Sequence, residues 1–354
     1  MPADDLIADY AISKVEDLPY AHEEPTCVAR FKNSASDFIV RETLSFEPDG
    51  DGTHAYLYIQ KTNTNTDWLA RQLARFVGVE AKEIGYAGLK DRNAVTEQWF
   101  SVNLEIIEPP DWKQFKLDGV KILKQTLHRK KLKRGAIKNN RFEIILRDVQ
   151  QCSADELLQR INNIGQSGVP NYYAQQRFGH DYNNLKRAVQ WFSGAGKIKK
   201  RAERSIVLSA ARSMVFNQML ARRIQQLGWD ELIAGELMML SGSHSVFSAA
   251  EPDDILRQRF HQGDVHPTAA LWGRGLLNSE LDLLSLEQQL AGELAPWCQG
   301  LEAQGLKQER RAVRIMPQDL LIRFAESTLQ KVSLSFSLPS GSYATAVLRE
   351  ITKF

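Results

Sequence analysis

Cysteine is scarce in this chain. Cys27, Cys152 and Cys298 are its only three in 354 residues, odd in number and widely separated, so no CxxC pair, zinc-ligand spacing or disulfide framework is visible. A reducing, cytoplasmic setting is the expectation that follows. No uncharged apolar run is long enough to span a bilayer, and the opening "MPADDLIADY" is acidic with no apolar signal core, which argues against membrane insertion and secretion. The histidines His22, His54, His128, His180, His244, His261 and His266 form no i, i+3 or i, i+4 pair. HExxH, the Walker A loop, GxSxG and the HxE and PCxxC elements of zinc deaminases are all missing, and "GRGLLN" from Gly273 lacks the third glycine of a dinucleotide fingerprint. These absences disfavour metal and cofactor chemistry, and the lack of a Gly-rich cofactor loop sets aside an RNA methyltransferase. Internal repeats and low-complexity segments are also lacking.

What is present is ordinary in bulk and uneven in layout. An apolar fraction of 43% with 25% charged residues suits a soluble globular chain, and 354 residues suffice for about two domains. The net charge of +2 points to no polyanion partner. The distribution of charge says otherwise. Between Gly119 and Phe142 there are nine basic residues, Lys121, Lys124, Arg129, Lys130, Lys131, Lys133, Arg134, Lys138 and Arg141, and no acid. "GKIKKRAER" gathers Lys197, Lys199, Lys200, Arg201 and Arg204, and "KQERRAVR" gathers Lys307, Arg310, Arg311 and Arg314. A single run of this kind is usually a solvated face. Three on a nearly neutral chain predict concentrated basic surface and a phosphate-rich partner.

Hydrophobic patterning divides the chain. "THAYLYIQ" sets Ala55, Leu57 and Ile59 on one face, and "RFEIILR" does the same with Phe142, Ile144 and Leu146, so both predict strands. Between them "TDWLARQLARFVG" predicts a helix carrying Trp68, Leu69, Gln72, Leu73 and Phe76 at helical spacing, closed by Gly78. From about Ser205 to Arg314 helical periods take over, as in the stripe Leu208, Ala211, Val215, Met219 and Leu220. "KVSLSFSLPSGSYATAVLREI" then returns to strict alternation of Val332, Leu334, Phe336 and Leu338 against serines, followed by a turn and a short helix. Strands, helices, strands describe one α+β sheet domain interrupted by a helix-rich insertion. A tandem arrangement would leave the last strand without a sheet to join.

The segment 84–102, "IGYAGLKDRNAVTEQWFSV", places Lys90, Asp91 and Arg92 after Gly85 and Gly88 and before a strand that begins near Ala94. A charged, solvated turn would account for the triplet by itself. Beside the basic runs, it also offers a lone carboxylate among cations.

Those residues resemble the TruD family of tRNA pseudouridine synthases. "GYAGLKDR" at 85–92 is similar to its catalytic motif, and "DFIVRE" at 37–42, "LKRGAIKNNRF" at 132–142, "NYYAQQRFG" at 171–179, "LSAARSMVFNQ" at 208–218 and "LPSGSYATAVLRE" at 338–350 follow in family order. The resemblance implies a pseudouridine synthase fold with a mixed or antiparallel sheet, a catalytic domain of residues 1–165 and 318–354, and a TRUD-type insertion at 166–317. It implies isomerisation of uridine at position 13 in the D arm of tRNA, with no cofactor, no metal and no protein partner, by a cytoplasmic monomer. It makes Asp91 the nucleophilic or basic carboxylate. Burial alone would favour its neutral acid, and a nearby cation reverses that preference. The matching cation is Lys32, six residues before Phe38, with chain neighbours Lys90 and Arg92 as alternatives for the same role.

Phe142 matches an aromatic that stacks on the target base, with Asn140 just before it, although a core role would be ordinary for Phe142 in a strand. Phe38 is similarly a pocket wall or a core residue, and Glu42 orients a neighbour or is solvated. Lys130, Lys131, Lys199 and Lys200 are expected to meet phosphates. Arg177, Phe178 and Asn217 fall in family blocks without an evident chemical role. The rival reading is a noncatalytic RNA-binding or RNA-chaperone protein on the same fold, which retention of Asp91 argues against.

Overall fold

The computed structural model describes residues 12–105, 107–325 and 328–354, so the acidic opening stretch lies outside the described residues. In chain order the first elements are β1 (Val28–Phe31), β2 (Phe38–Leu44), β3 (His54–Thr62), α1 (Thr66–Val77), β4 (Ile84–Tyr86), β5 (Val95–Asn103), β6 (Val120–His128), β7 (Ile137–Gln150) and α2 (Ala154–Ser167). Next come β8 (Val169–Pro170), α3 (Asn183–Phe192), α4 (Arg201–Leu227), β9 (Glu236–Leu240), β10 (Val246–Ala249), α5 (Asp254–His261) and β11 (Val265–Leu271). The remainder are α6 (Leu281–Glu293), α7 (Ala295–Ala303), β12 (Glu309–Ala312), β13 (Arg314–Ile315), β14 (Gln318–Ala325), β15 (Thr328–Pro339) and α8 (Ala344–Ile351). Two compact units result. The sheet unit comprises Pro25–Ile161, Pro317–Gly341 and Ile351–Phe354, and the helical unit contains Asn162–Met316, Ser342–Glu350 and the described residues before Pro25.

The sheet unit is built on nine strands in the order β14-β15-β7-β2-β5-β3-β6, with β1 on β7 and β4 on β5. β2 pairs with β5 in parallel and with β7 antiparallel, so the sheet is mixed. Period-two patterning explains its inner face. Ala55, Leu57 and Ile59 meet Leu69, Ala70, Leu73 and Ala74 of α1, and Val332, Leu334 and Phe336 of β15 lie opposite Leu146, Ile144 and Phe142 of β7. The α1 helix starts where Asn65 Oδ1 accepts from Trp68 N at 3.2 Å and ends at Gly78 in the left-handed conformation, φ 76°. Trp68, expected on the apolar stripe, is 39% exposed, while Leu69, Ala70, Leu73 and Ala74 are buried.

The cysteine reading is corrected here. Cys27 and Cys152 form a disulfide. Antiparallel pairing of β1 with β7 sets Val28 opposite Gln150, which brings the flanking cysteines to a Cα separation of 5.0 Å despite 125 residues of chain between them. Spacing along the sequence could not reveal a neighbour created by strand pairing.

In the helical unit, α4 runs for 27 residues and buries Ala211, Val215, Met219 and Leu220 of the expected stripe, with Leu208 half-buried. Burial extends around it to Val207, Met214 and Phe216, since α3 and α7 pack on it as well. The region expected to be helical also contains a four-stranded sheet, β10-β9-β11-β12. After Glu236 the strand "ELMML" is an apolar run, which periodicity cannot distinguish from buried helix, and in "VHPTAAL" alternation breaks down at Ala269–Leu271. Of the basic residues in the third run, Lys307 alone is exposed. Arg310 is bound to Glu287 at 2.8 Å, and Arg314, 3% exposed, donates to His266 Nδ1 at 3.1 Å and to the carbonyls of Phe260 and Val265. Burial, aided by Arg314, pushes His266 down to about 4, so the neutral ring is an acceptor. Among the described residues no helix is long and apolar enough to cross a membrane.

Candidate active site

The loop between β4 and β5 carries the charged triplet, and its glycines are there for room. A Cβ on Gly85 would lie 2.4 Å from the Leu132 carbonyl and from Ser101 Oγ, and one on Gly88 would lie 2.7 Å from Ile137 Cδ1. Neighbouring groups pin the loop's backbone. Gln98 Nε2 donates to Gly88 O at 3.1 Å, Lys90 N donates to Thr66 Oγ1 at 3.2 Å, and Gly135 N donates to Ala87 O at 2.9 Å. Thr66 Oγ1 in turn donates to Gln98 Oε1 at 2.9 Å, so the N-terminus of α1 and strand β5 hold the loop together.

The triplet splits in three directions. Lys90 turns inward, where Nζ is 2.5 Å from Glu42 Oε2 and the two side chains are 5% and 0% exposed. Glu42 Oε1 also accepts from Trp99 N at 3.2 Å, so Glu42 is a buried anchor. Arg92 is exposed. Asp91 faces Lys32: Oδ2 accepts from Nζ at 2.7 Å, with the carboxylate side chain 38% exposed. Its Oδ1 has no hydrogen bond among the described residues. Lys32 follows β1 in a left-handed conformation, φ 59°, and sets its ammonium 4.0 Å from the centroid of Phe38.

Lys61 is the residue that sequence reasoning missed. Its side chain is fully buried at the end of β3, and Nζ donates to Thr64 O at 2.6 Å and to Asp91 O at 3.2 Å. Burial lowers it to about 8; Lys90 adds to the depression and Asp91 opposes it. The signal was available, since alternation continues the inward face of Ala55, Leu57 and Ile59 onto Lys61.

Phe38, Glu42, Asn140 and Phe142 share one sheet face, because β2 and β7 pair Val40 with Phe142 and Glu42 with Asn140. Phe142 lies 6.0 Å from Phe38 and stacks at 5.5 Å on Phe336, leaving Phe142 7% and Phe38 3% exposed. Asn140 Oδ1 is buried with no partner among the described residues. The start of β2 is fixed by Asp37, whose carboxylate accepts from Arg147 Nη2 at 2.7 Å and from Ser34 N at 3.0 Å. Hydrogen bonding from Arg147 holds Asp37 below the usual carboxylate range.

The remaining basic candidates lie on other segments of the chain. Lys130 is exposed, and Lys131 is half-buried with its ammonium on the Lys82 carbonyl. Lys199 and Lys200 are exposed in the helical unit just before α4. In the same unit Phe178 is buried, and the Asn217 amide brackets the Tyr173 backbone, accepting from its N–H and donating to its carbonyl, both at 2.9 Å. No group of three or more His, Cys, Asp or Glu among the described residues could hold a metal ion.

Comparison with known proteins bears on this geometry. The family model of tRNA pseudouridine synthase D (TruD) matches residues 14–190 and 182–351. The tRNA pseudouridine synthase D of Methylococcus capsulatus is 43% identical over 339 residues, covering 96% of this chain and 95% of its own. That of Hydrogenovibrio crunogenus is 40% identical over 332 residues, covering 94% and 95%. A crystal structure of tRNA pseudouridine synthase D (TruD) from Methanosarcina mazei superposes with a TM-score of 0.73 at 20% identity, covering 99% of this chain and 98% of its own, and so shares the fold.

Proposed function

Because the chain belongs to the tRNA pseudouridine synthase D (TruD) family and is thereby a tRNA pseudouridine synthase, an isomerase, we propose that Asp91 is the carboxylate with which it isomerises uridine at position 13 of the tRNA D arm. The observation that carries this reading is the 2.7 Å contact of Lys32 Nζ with Asp91 Oδ2 on a half-exposed carboxylate. The reaction breaks the bond from C1′ to N1 and forms one from C1′ to C5, with a proton lost at C5 and one gained at N1. It needs no redox partner and no cofactor. Whether the carboxylate attacks C1′ or removes a proton from the sugar, it must be ionised and keep one oxygen available. Lys32 pairs with Oδ2 alone, which leaves Oδ1 for the reaction.

The neighbouring sheet face suits a flipped base. Phe142, 7% exposed and packed on Phe38 and Phe336, would meet the base only once this face opens, and stacking on it would recover about 1–3 kcal/mol of the cost of leaving the RNA helix. A buried amide oxygen without a partner calls for a donor, which the N3–H of uracil supplies to Asn140. Exposed Arg92, Lys130, Lys199 and Lys200, with half-buried Lys131, serve the phosphates, whereas Lys90 serves through Glu42 by holding the loop. The sheet unit acts as the catalytic domain, with 166–317 as the insertion, in a monomer. The test is tritium release from 5-tritiated uridine in bulk tRNA. Wild type should release it, and Asp91→Asn should lose about 10²–10⁴-fold in single-turnover rate. A variant rate near wild type would remove Asp91 from the chemistry.

A further inference from the structure

The helix α1 buries Leu69, Ala70, Leu73 and Ala74 and turns Trp68, Arg71 and Arg75 to solvent. The three outward residues stand at i, i+3 and i+7, so they share one face of the helix. All seven tryptophans lie among the described residues, and Trp68 alone is exposed. The helix begins at Thr66, whose Oγ1 accepts from Lys90 N at 3.2 Å, so its first turn adjoins the loop that carries Asp91.

The charge on this face is uncompensated. Elsewhere in the sheet unit Arg30, Arg41, Arg129, Arg134 and Arg147 each face a carboxylate. Arg71 and Arg75 face none among the described residues. Asp67 stands four residues before Arg71, the spacing at which an acid best neutralises a base on a helix. Its carboxylate instead accepts from Tyr86 Oη and lies 3.9 Å from Arg134 Nη2. Arg71 and Arg75, themselves four residues apart, repel each other. The helix dipole accounts for a base in the last turn, where Arg75 sits, but not for Arg71 in the middle, and it leaves the exposed indole unexplained. A polyanion answers the first point and a stacked base the second. Four residues of helix rise about 6 Å, close to the separation of neighbouring phosphates along an RNA strand. Guanidinium groups pair with phosphate oxygens two at a time, and an indole stacks on any unpaired base.

We infer that the outer face of α1 is a contact surface for RNA, with Trp68 stacked on an unpaired base and Arg71 and Arg75 on the phosphates beside it. The surface rests on the tRNA reading above, since an RNA that gives up one uridine to Asp91 has unpaired neighbours to offer next to the same loop. Arg71→Gln combined with Arg75→Gln removes the two charges, Trp68→Leu removes the ring, and Trp68→Phe keeps an aromatic face. All are exposed positions, and glutamine and leucine are good helix formers, so the fold is retained. Each protein is titrated with one tRNA transcript across a salt series.

The arginine variant should shallow the slope of log affinity against log salt by about 0.7 to 0.9 for each phosphate no longer neutralised, hence by about 1.4 to 1.8 for the pair. Trp68→Leu should bind about 5- to 150-fold more weakly with the wild-type slope, because stacking carries no counterions, and Trp68→Phe should recover most of that loss. A wild-type slope in the arginine variant, wild-type affinity in Trp68→Leu, or no recovery in Trp68→Phe would each overturn the inference. An arginine variant that binds tRNA like wild type but loses self-association in sedimentation would give the face to a second copy of the chain and overturn it too. Failure of the tRNA reading looks different: wild type itself would not bind the transcript, whereas wild-type binding matched by every variant defeats this surface alone.

Discussion

Two lysine–carboxylate pairs meet the same short loop and differ in burial. Glu42 and Lys90 are 0% and 5% exposed, whereas Asp91 and Lys32 are 38% and 26% exposed. A pair sealed from water can fix a backbone but cannot reach a substrate. A pair open on one side can hold a carboxylate in place and still present it. Adjacent residues 90 and 91 thus divide the work, one holding the loop and the other facing solvent, because neighbouring side chains in an extended loop point apart.

The largest effect should come from breaking the sealed pair. Glu42→Gln leaves the Lys90 ammonium buried without its counter-charge, and the expected loss is about 3–5 kcal/mol of stability, read by urea denaturation. Asp91→Asn should cost less than about 1 kcal/mol in the same measurement, because its pair is half-solvated. Equal losses would erase the contrast between the two pairs.

Lys61 sharpens the comparison from below, as a cation bonded to backbone carbonyls on the buried side of Asp91. Lys61→Met should release the Asp91 loop and lower the single-turnover rate by up to about 10²-fold, the scale of a misplaced reactive group. Its folded value near 8 gives the pH signature: the ammonium is present below that pH, so the wild-type rate should fall as pH rises through about 8, and this alkaline fall should be absent in the variant. Stability should move the other way. Between about 8 and the ordinary lysine value of 10.5 the unfolded chain binds more protons than the folded one, so wild type should gain stability as pH rises across that window. An alkaline limb retained by Lys61→Met would assign it to another group.

The smallest effects belong to charges outside both pairs. Lys130→Ala with Lys131→Ala, and separately Lys199→Ala with Lys200→Ala, should each shallow the salt dependence of tRNA binding by about 0.7 to 0.9 for every phosphate no longer neutralised, with little change in stability. Unaltered slopes in filter binding would make these lysines solvated faces.

Alternation of apolar and polar residues was enough to read β3, β7 and β15, and the glycine-flanked triplet was legible as a loop at the entrance of β5. Lys32 was visible only through family resemblance, because 59 residues separate it from Asp91. The strand β9 was hidden by an apolar run and β11 by its broken alternation, and "KQERRAVR" looked like surface although Glu287 and His266 draw Arg310 and Arg314 inside.

By itself, the sequence determined the periodicities, the local charge and the supply of reactive groups, since these depend on residue type and short spacing. Tertiary structure decided which groups became neighbours. Strand pairing set Cys27 beside Cys152, placed Phe38, Asn140 and Phe142 on one face, and brought Lys61 under the Asp91 carbonyl. It also decided exposure, which separates a carboxylate held as an anchor from one left free to react. Burial sets the local dielectric and the access of water, and both come from the packing of distant segments rather than from the order of residues along the chain.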